Sequence, residues 1–171
     1  MTSRLLRLAP ALRLAPALLL AAACASRPAG EPAPGPAPAA RAPAGPRVVV
    51  ETAGGASLAV TVELARTDEE RTRGMMHRRE LAPEAGMLFI FSESDQRAFW
   101  MKNTLLPLDM LFIDDGGRVV GLIERAEPLT TSPRDPGVPS RYVLEVNGGW
   151  AARHGVRPGD RVRFENVARF E

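Results

Sequence analysis

From Val48 onward, apolar residues fall in short blocks parted by turn-forming residues. Arg47 to Thr52 is a β-branched run that reads as a strand, and Ala53-Gly54-Gly55 as a turn. Leu58 to Leu64 then alternates apolar and polar positions, the pattern of a half-buried strand and hairpin partner. Thr67-Asp68-Glu69-Glu70 has the capping-box spacing, in which the threonine oxygen accepts from a first-turn amide and the glutamate reaches back. It predicts a short helix from Asp68 to about Met76. Met87 to Phe91, Ala98 to Met101 and Leu108 to Ile113 are apolar at nearly every position, as in strands covered on both faces. Asp114-Asp115-Gly116-Gly117 reads as a hairpin turn into Arg118 to Ile123. Glu127 to Ser140, which holds four prolines, reads as a long loop, and Arg141 to Val146 as a further strand. Gly149 to His154 suits one helical turn stopped by Gly155, and Arg157 to Asp160 turns into a last strand, Arg161 to Glu165. Seven or eight short strands, little helix, no internal repeat and no βαβ alternation predict a mainly β fold. We expect a single compact β-barrel or sandwich domain over residues 47–171, with one or two short helices.

Residues 1–46 follow other rules. Met1 to Arg13 carries three arginines and no acid, and Leu14 to Ala23 is ten residues without charge. A basic stretch, a short apolar stretch and small residues describe a signal peptide over 1–23. As a helix the apolar part spans only about 15 Å, half a bilayer core. Ala21-Ala22-Ala23-Cys24 resembles the lipobox of bacterial lipoproteins, with alanine where leucine is usual three places before the cysteine. Lipidation of Cys24 also accounts for the chain's single thiol; the alternative is ordinary cleavage after an Ala-x-Ala site, releasing a soluble protein. Ala25, rather than aspartate, follows it and resembles the pattern of outer-membrane sorting. From Arg27 to Pro46, proline recurs at 28, 32, 34, 36, 38, 43 and 46 among alanine and glycine, so 24–46 is expected to be a disordered linker. The expected location is the bacterial cell envelope, facing the periplasm from the outer rather than the inner membrane, with the lipid anchor as the membrane contact.

Charge changes once the leader is set aside. Without its three arginines, 19 of the 22 basic residues remain against 20 acidic ones, which gives no general attraction to nucleic acid. His77 and His154 stand far apart, and with Cys24 given to lipid no metal site and no cofactor is expected. There is no phosphate loop and no nucleophile elbow. Among the 22 basic residues, Lys102 is the sole lysine. Lysine is a compact charge whose pKa falls on burial, so it differs chemically from the arginines around it. On a strand, Trp100 and Lys102 would share a face about 7 Å apart, close enough for a cation–π contact. Asp109 opens an apolar strand and needs a partner there, Lys102 or a nearby arginine. Asn103 and Thr104 add donors and acceptors. Together these would form a polar pocket at one end of the barrel or a structural ion pair.

Glu70-Arg71-x-x-Gly74-Met75-Met76-x-Arg78, Gly86-Met87-Leu88-Phe89, Trp100-Met101-Lys102-Asn103-Thr104, Pro107-Leu108-Asp109 and Val143-Leu144-Glu145-Val146 resemble, in this order, the domain of unknown function 192, also called uncharacterised protein family 0127. The likeness runs from about Val48 to Phe164. It implies a compact, mostly β fold and frequent export, and it implies no reaction. The first functional expectation is therefore a non-enzymatic envelope module for a small polar or anionic ligand. Its site would comprise Trp100 as a stacking face, Lys102 and Arg71 as charged donors, and Asn103 and Asp109 as orienting groups. A second is a hydrolase-like enzyme with Lys102 as base or nucleophile and Asp109 orienting it. A third is a structural or accessory envelope protein.

Overall fold

The computed structural model describes residues 45–168; the expected signal peptide, Cys24 and the expected linker up to Ala44 lie outside the described residues. Seven strands and two short helices follow one another: β1 Arg47–Glu51, β2 Ser57–Ala65, α1 Asp68–Arg73, β3 Ala85–Gln96, β4 Leu108–Ile113, β5 Val119–Ala126, β6 Pro139–Asn147, α2 Trp150–His154 and β7 Arg161–Glu165. They form one sheet in the order β5-β4-β6-β3-β2-β1-β7.

The expected hairpin of β1 and β2 is present, with Val49 opposite Ala59, and so is that of β4 and β5 across the turn at 114–117. That turn is tied by Asp114, whose Oδ1 accepts from the Arg118 amide at 2.8 Å. Two expectations fail. β2 and β3 run parallel, with Leu64 beside Leu88, so a β2–α1–β3 crossover exists where no βαβ unit was expected. Its helix spans only six residues, too brief to announce a crossover through a long apolar periodicity. In addition, Ala98 to Met101 is not a strand. Phe99 makes a single bridge to Arg134, and the segment lies over the sheet instead of in it. An apolar block is needed equally by a buried strand and by a layer that covers one, and local pattern does not separate the two.

The sheet curls into a half-barrel. At one end its outermost strands are stitched together: Val162 N donates to Gly117 O at 2.7 Å and Val119 N to Asp160 O at 2.9 Å. Residues from all seven strands, among them Val48, Val60, Leu88, Leu111, Val119, Leu144 and Val162, meet in one apolar cluster, so this is the inside of the curl. Trp150 of α2 closes it, fully buried, with its indole N–H donating to Glu84 at 2.9 Å.

The other face carries a second apolar cluster over β3 to β6 and the end of β2, at Ala65. There Met87, Phe89, Met110, Phe112 and Val143 pack under Met75 and Met101. Phe99 stands edge-on to both Phe89 and Phe112, at 5.0 and 5.9 Å between ring centroids. The methionines thus fill an apolar layer, as soft side chains do. Where β3 and β6 meet, Gly86 allows an approach that no other residue would: a Cβ there would lie 2.4 Å from the Glu145 carbonyl oxygen.

Candidate functional site

Two connections build the outer layer and leave a gap between them. The first runs from β2 to β3 through α1. Its start is set by the capping box: Thr67 Oγ1 accepts from the Glu70 amide at 3.2 Å, and Glu70 Oε2 accepts from the Thr67 amide at 2.9 Å. Gly74 ends the helix at φ 43°, a left-handed value suited to glycine, and its N–H donates to Glu70 O. The second connection runs from β3 to β4. Phe99 exchanges backbone hydrogen bonds with Arg134 at 3.0 and 2.7 Å, and Thr104 N closes a turn on Met101 O at 3.1 Å. His77 N, donating to Asn103 O at 2.8 Å, ties the two connections together.

Between α1 and this second segment opens a cleft of about 520 Å³. Its interior is apolar, from Met75, Phe89 and Phe99, and Trp100 stands in its wall with 49% of its surface exposed. Three arginines line it as well. The guanidiniums of Arg71 and Arg97 lie 5.0 and 4.1 Å from the Phe91 ring centroid. Arg71 is largely committed: it donates to the carbonyls of Arg66 and Ile90 and pairs with Asp68. Arg97 donates to Glu93 O, while its Nε is buried without a partner.

Glu145 of β6 completes the lining and is the most unusual group in it. Cross-strand it faces Met87 on one side and Met110 on the other. Only 4% of its surface is exposed. Among the described residues no hydrogen bond or ion pair reaches its carboxyl, and burial pushes its pKa up to about 8. At neutral pH it is therefore mostly an uncharged acid with an O–H to donate. The other buried acids differ. Asp160 accepts from the amides of Ala53 and Arg157 at 2.9 and 2.8 Å.

Of the residues singled out in the sequence, Trp100 and Arg71 line the cleft. Lys102 and Asn103 sit in the adjoining turn, outside the lining, and both are exposed. Lys102 Nζ does lie 5.6 Å from the Trp100 ring centroid, but around a turn instead of along a strand. Asn103 takes a left-handed φ of 55°, and its Nδ2 is 3.9 Å from Met76 Sδ. Asp109 is elsewhere. It is fully buried on the inner face and pairs with neither lysine nor arginine side chains. Its Oδ1 accepts from the amides of Arg125 and Gly149 at 2.7 and 2.8 Å, and its Oδ2 from Ala151 at 2.8 Å. The expected Lys102–Asp109 pair is thus absent because backbone amides satisfy the carboxylate. α2 begins at Gly149 with no side-chain cap of its own, and Asp109 supplies one from β4.

Glu145 was missed as a site residue, although the signal was available: an acid in the apolar run Tyr142 to Val146, on the same grounds that made Asp109 conspicuous.

With this geometry in place, the comparisons with known proteins assign the class. The model of the family DUF192, described as "Uncharacterized ACR", matches residues 49–164. The chain belongs to this family. One similar solved structure is a candidate transcription regulator from Sinorhizobium meliloti 1021, 45% identical, with a TM-score of 0.69 over 71% of this chain and 95% of that one. Another is a protein of unknown function from Novosphingobium aromaticivorans DSM 12444, 41% identical, with a TM-score of 0.66 over 68% of this chain and 83% of that one. No curated protein matches.

Proposed function

We propose that the protein is a non-enzymatic envelope lipoprotein whose β domain binds a small ligand in the cleft between α1 and the Phe99–Thr104 segment. The observation that carries this reading is the cleft itself: an apolar interior beside a half-exposed tryptophan, with a buried carboxyl in its wall that has no partner among the described residues. Small-molecule sites combine apolar walls with a few polar groups in this way, and a volume of about 520 Å³ falls within their usual range. Trp100 provides the stacking face, and the arginines favour a ligand that is polar or anionic at the mouth. Lys102 and Asn103 act at the margin, through the Trp100 contact and the turn. An enzyme built on Lys102 and Asp109 gains nothing from this geometry, since Asp109 serves the inner face. The regulator label of the Sinorhizobium relative is not carried over, because α1 and α2 are six and five residues long and neither suits a groove-reading helix.

The test is a thermal-shift and NMR screen of the purified protein against a panel of small carboxylates, sugars and amines. A hit should perturb the Trp100 indole signal and vanish in Trp100→Ala. A panel in which no compound touches Trp100 would sink the reading. Envelope anchoring is tested separately by incorporation of a palmitate analogue, expected in the native chain and lost in Cys24→Ser.

A further inference from the structure

We propose that the cleft recognises small organic acids that carry a second, uncharged oxygen acceptor (oxo-, hydroxy- or acylamino-acids), the anionic end meeting Arg73 and Arg97 and the acceptor taking a hydrogen bond from the Glu145 carboxyl. This rests on the binding reading above and names its ligand class.

Three observations converge. Glu145 lines the cleft, is 96% buried by its 4% exposure, and has no partner among the described residues. An acid held that way is retained against a desolvation penalty, and an occupant that pairs with it relieves the penalty. The nearest groups across the sheet are the thioether side chains of Met87 and Met110, which are weak acceptors. No cation faces it from β3 or β4. The acid therefore stays neutral and offers a donor, consistent with its pKa near 8.

The charged groups in the cleft lie elsewhere in its lining. Arg71 is paired with Asp68, which leaves Arg73 and Arg97 as the excess. Arg73 is exposed on the last turn of α1, and Arg97 keeps an unpartnered Nε. Aromatic walls with a carboxylate would ordinarily suit an ammonium ligand. Two excess guanidiniums beside an uncharged acid reverse that preference and favour an anion. Between the two polar ends, Met75, Phe89 and Phe99 require an apolar body. No bond is made or broken; the step is association, with the proton remaining on Glu145.

The experiment is isothermal titration calorimetry on the purified protein with three probes: N-acetyl-L-phenylalanine, 3-phenylpropanoate, which lacks the second acceptor, and 3-phenylpropylamine, which reverses the charge. The acetylated acid should bind best, at least tenfold tighter than 3-phenylpropanoate, and the amine should not bind. Raising the pH from 7 to 9 should weaken the acetylated acid about tenfold, because ionised Glu145 loses its donor. Glu145→Gln keeps an N–H donor, so it should retain binding and lose the pH dependence. Arg73→Ala should weaken both acids alike. If the amine binds tightest and releases a proton on binding, the ligand class is overturned while a binding cleft survives. If the two acids bind equally, or pH dependence persists in Glu145→Gln, the role given to Glu145 is overturned. Failure of all three probes also overturns this inference, whereas the wider reading falls only if the broader panel leaves Trp100 untouched.

Discussion

Asp109 and Glu145 stand one residue pair apart on neighbouring strands, on opposite faces of the same sheet. The register sets Asp109 beside Val146 and Met110 beside Glu145. Both acids interrupt apolar strands and both are buried, at 0% and 4% exposure. On the inner face three backbone amides converge on Asp109, two of them at the start of α2. On the outer face, among the described residues, no donor bonds the Glu145 carboxyl. A buried carboxyl that accepts several amides makes structure; one that accepts none is driven by burial to its neutral form, as Glu145 is. Burial alone therefore does not tell a structural acid from an available one. What differs is the supply of donors, and the outer layer withholds it at the place where it also leaves a cleft.

The contrast can be broken most sharply at Asp109. Asp109→Ala would strand three amides, each costing roughly 1–3 kcal/mol, so a loss of about 4 kcal/mol or more is expected in urea unfolding. A loss under about 1 kcal/mol would contradict the capping role. At Glu145 the effect has the opposite sign and depends on pH. Its folded-state pKa is raised from 4.5 to about 8, so the native protein is most stable, as far as this group is concerned, below about pH 4.5. It loses that stability as pH rises toward 8, at no more than about 1.4 kcal/mol per pH unit. Glu145→Gln should remove this slope. The variant should be about as stable as the native protein near pH 4 and roughly 4 kcal/mol more stable at pH 8, by melts across that range. Parallel curves for the two proteins would mean that Glu145 is not held neutral.

Gly86→Ala sharpens the setting of Glu145, because the new Cβ meets its carbonyl oxygen at 2.4 Å. Forcing β3 and β6 apart should cost about 2 kcal/mol, within the usual range for overpacking, read as a lower denaturation midpoint at unchanged slope. Smallest of all should be Lys102→Arg. The side chain is exposed and lies beside Trp100, a contact that a guanidinium can also make, so stability should stay within about 0.5 kcal/mol. A larger loss would return Lys102 to the centre of the problem.

Much of the strand layout was legible because a strand's signature is local. Val48 to Val50 and Leu58 to Leu64 state their burial by residue type and alternation, and Thr67 to Glu70 states a helix start in four residues. The same locality explains the failures. Ala98 to Met101 is apolar because it covers the sheet, and its composition is that of a strand. Asp109 announced that it needed a partner, yet the partners are main-chain amides some 16 to 42 positions away, and an amide has no residue signature. Lys102 drew notice by its rarity, which is a property of composition and carries no position.

By itself, then, the sequence determined which segments are apolar, where α1 begins, where chains turn, and that two acids lie within buried strands. These follow from interactions among residues a few places apart, or from the solvation of single side chains. The tertiary structure alone decided that β2 and β3 run parallel, that Asp109 caps α2, and that Glu145 lines a cleft with no described group bonded to its carboxyl. Each of those depends on which distant groups the folded chain brings within 3 Å, and backbone amides, which look alike at every position, do most of the deciding.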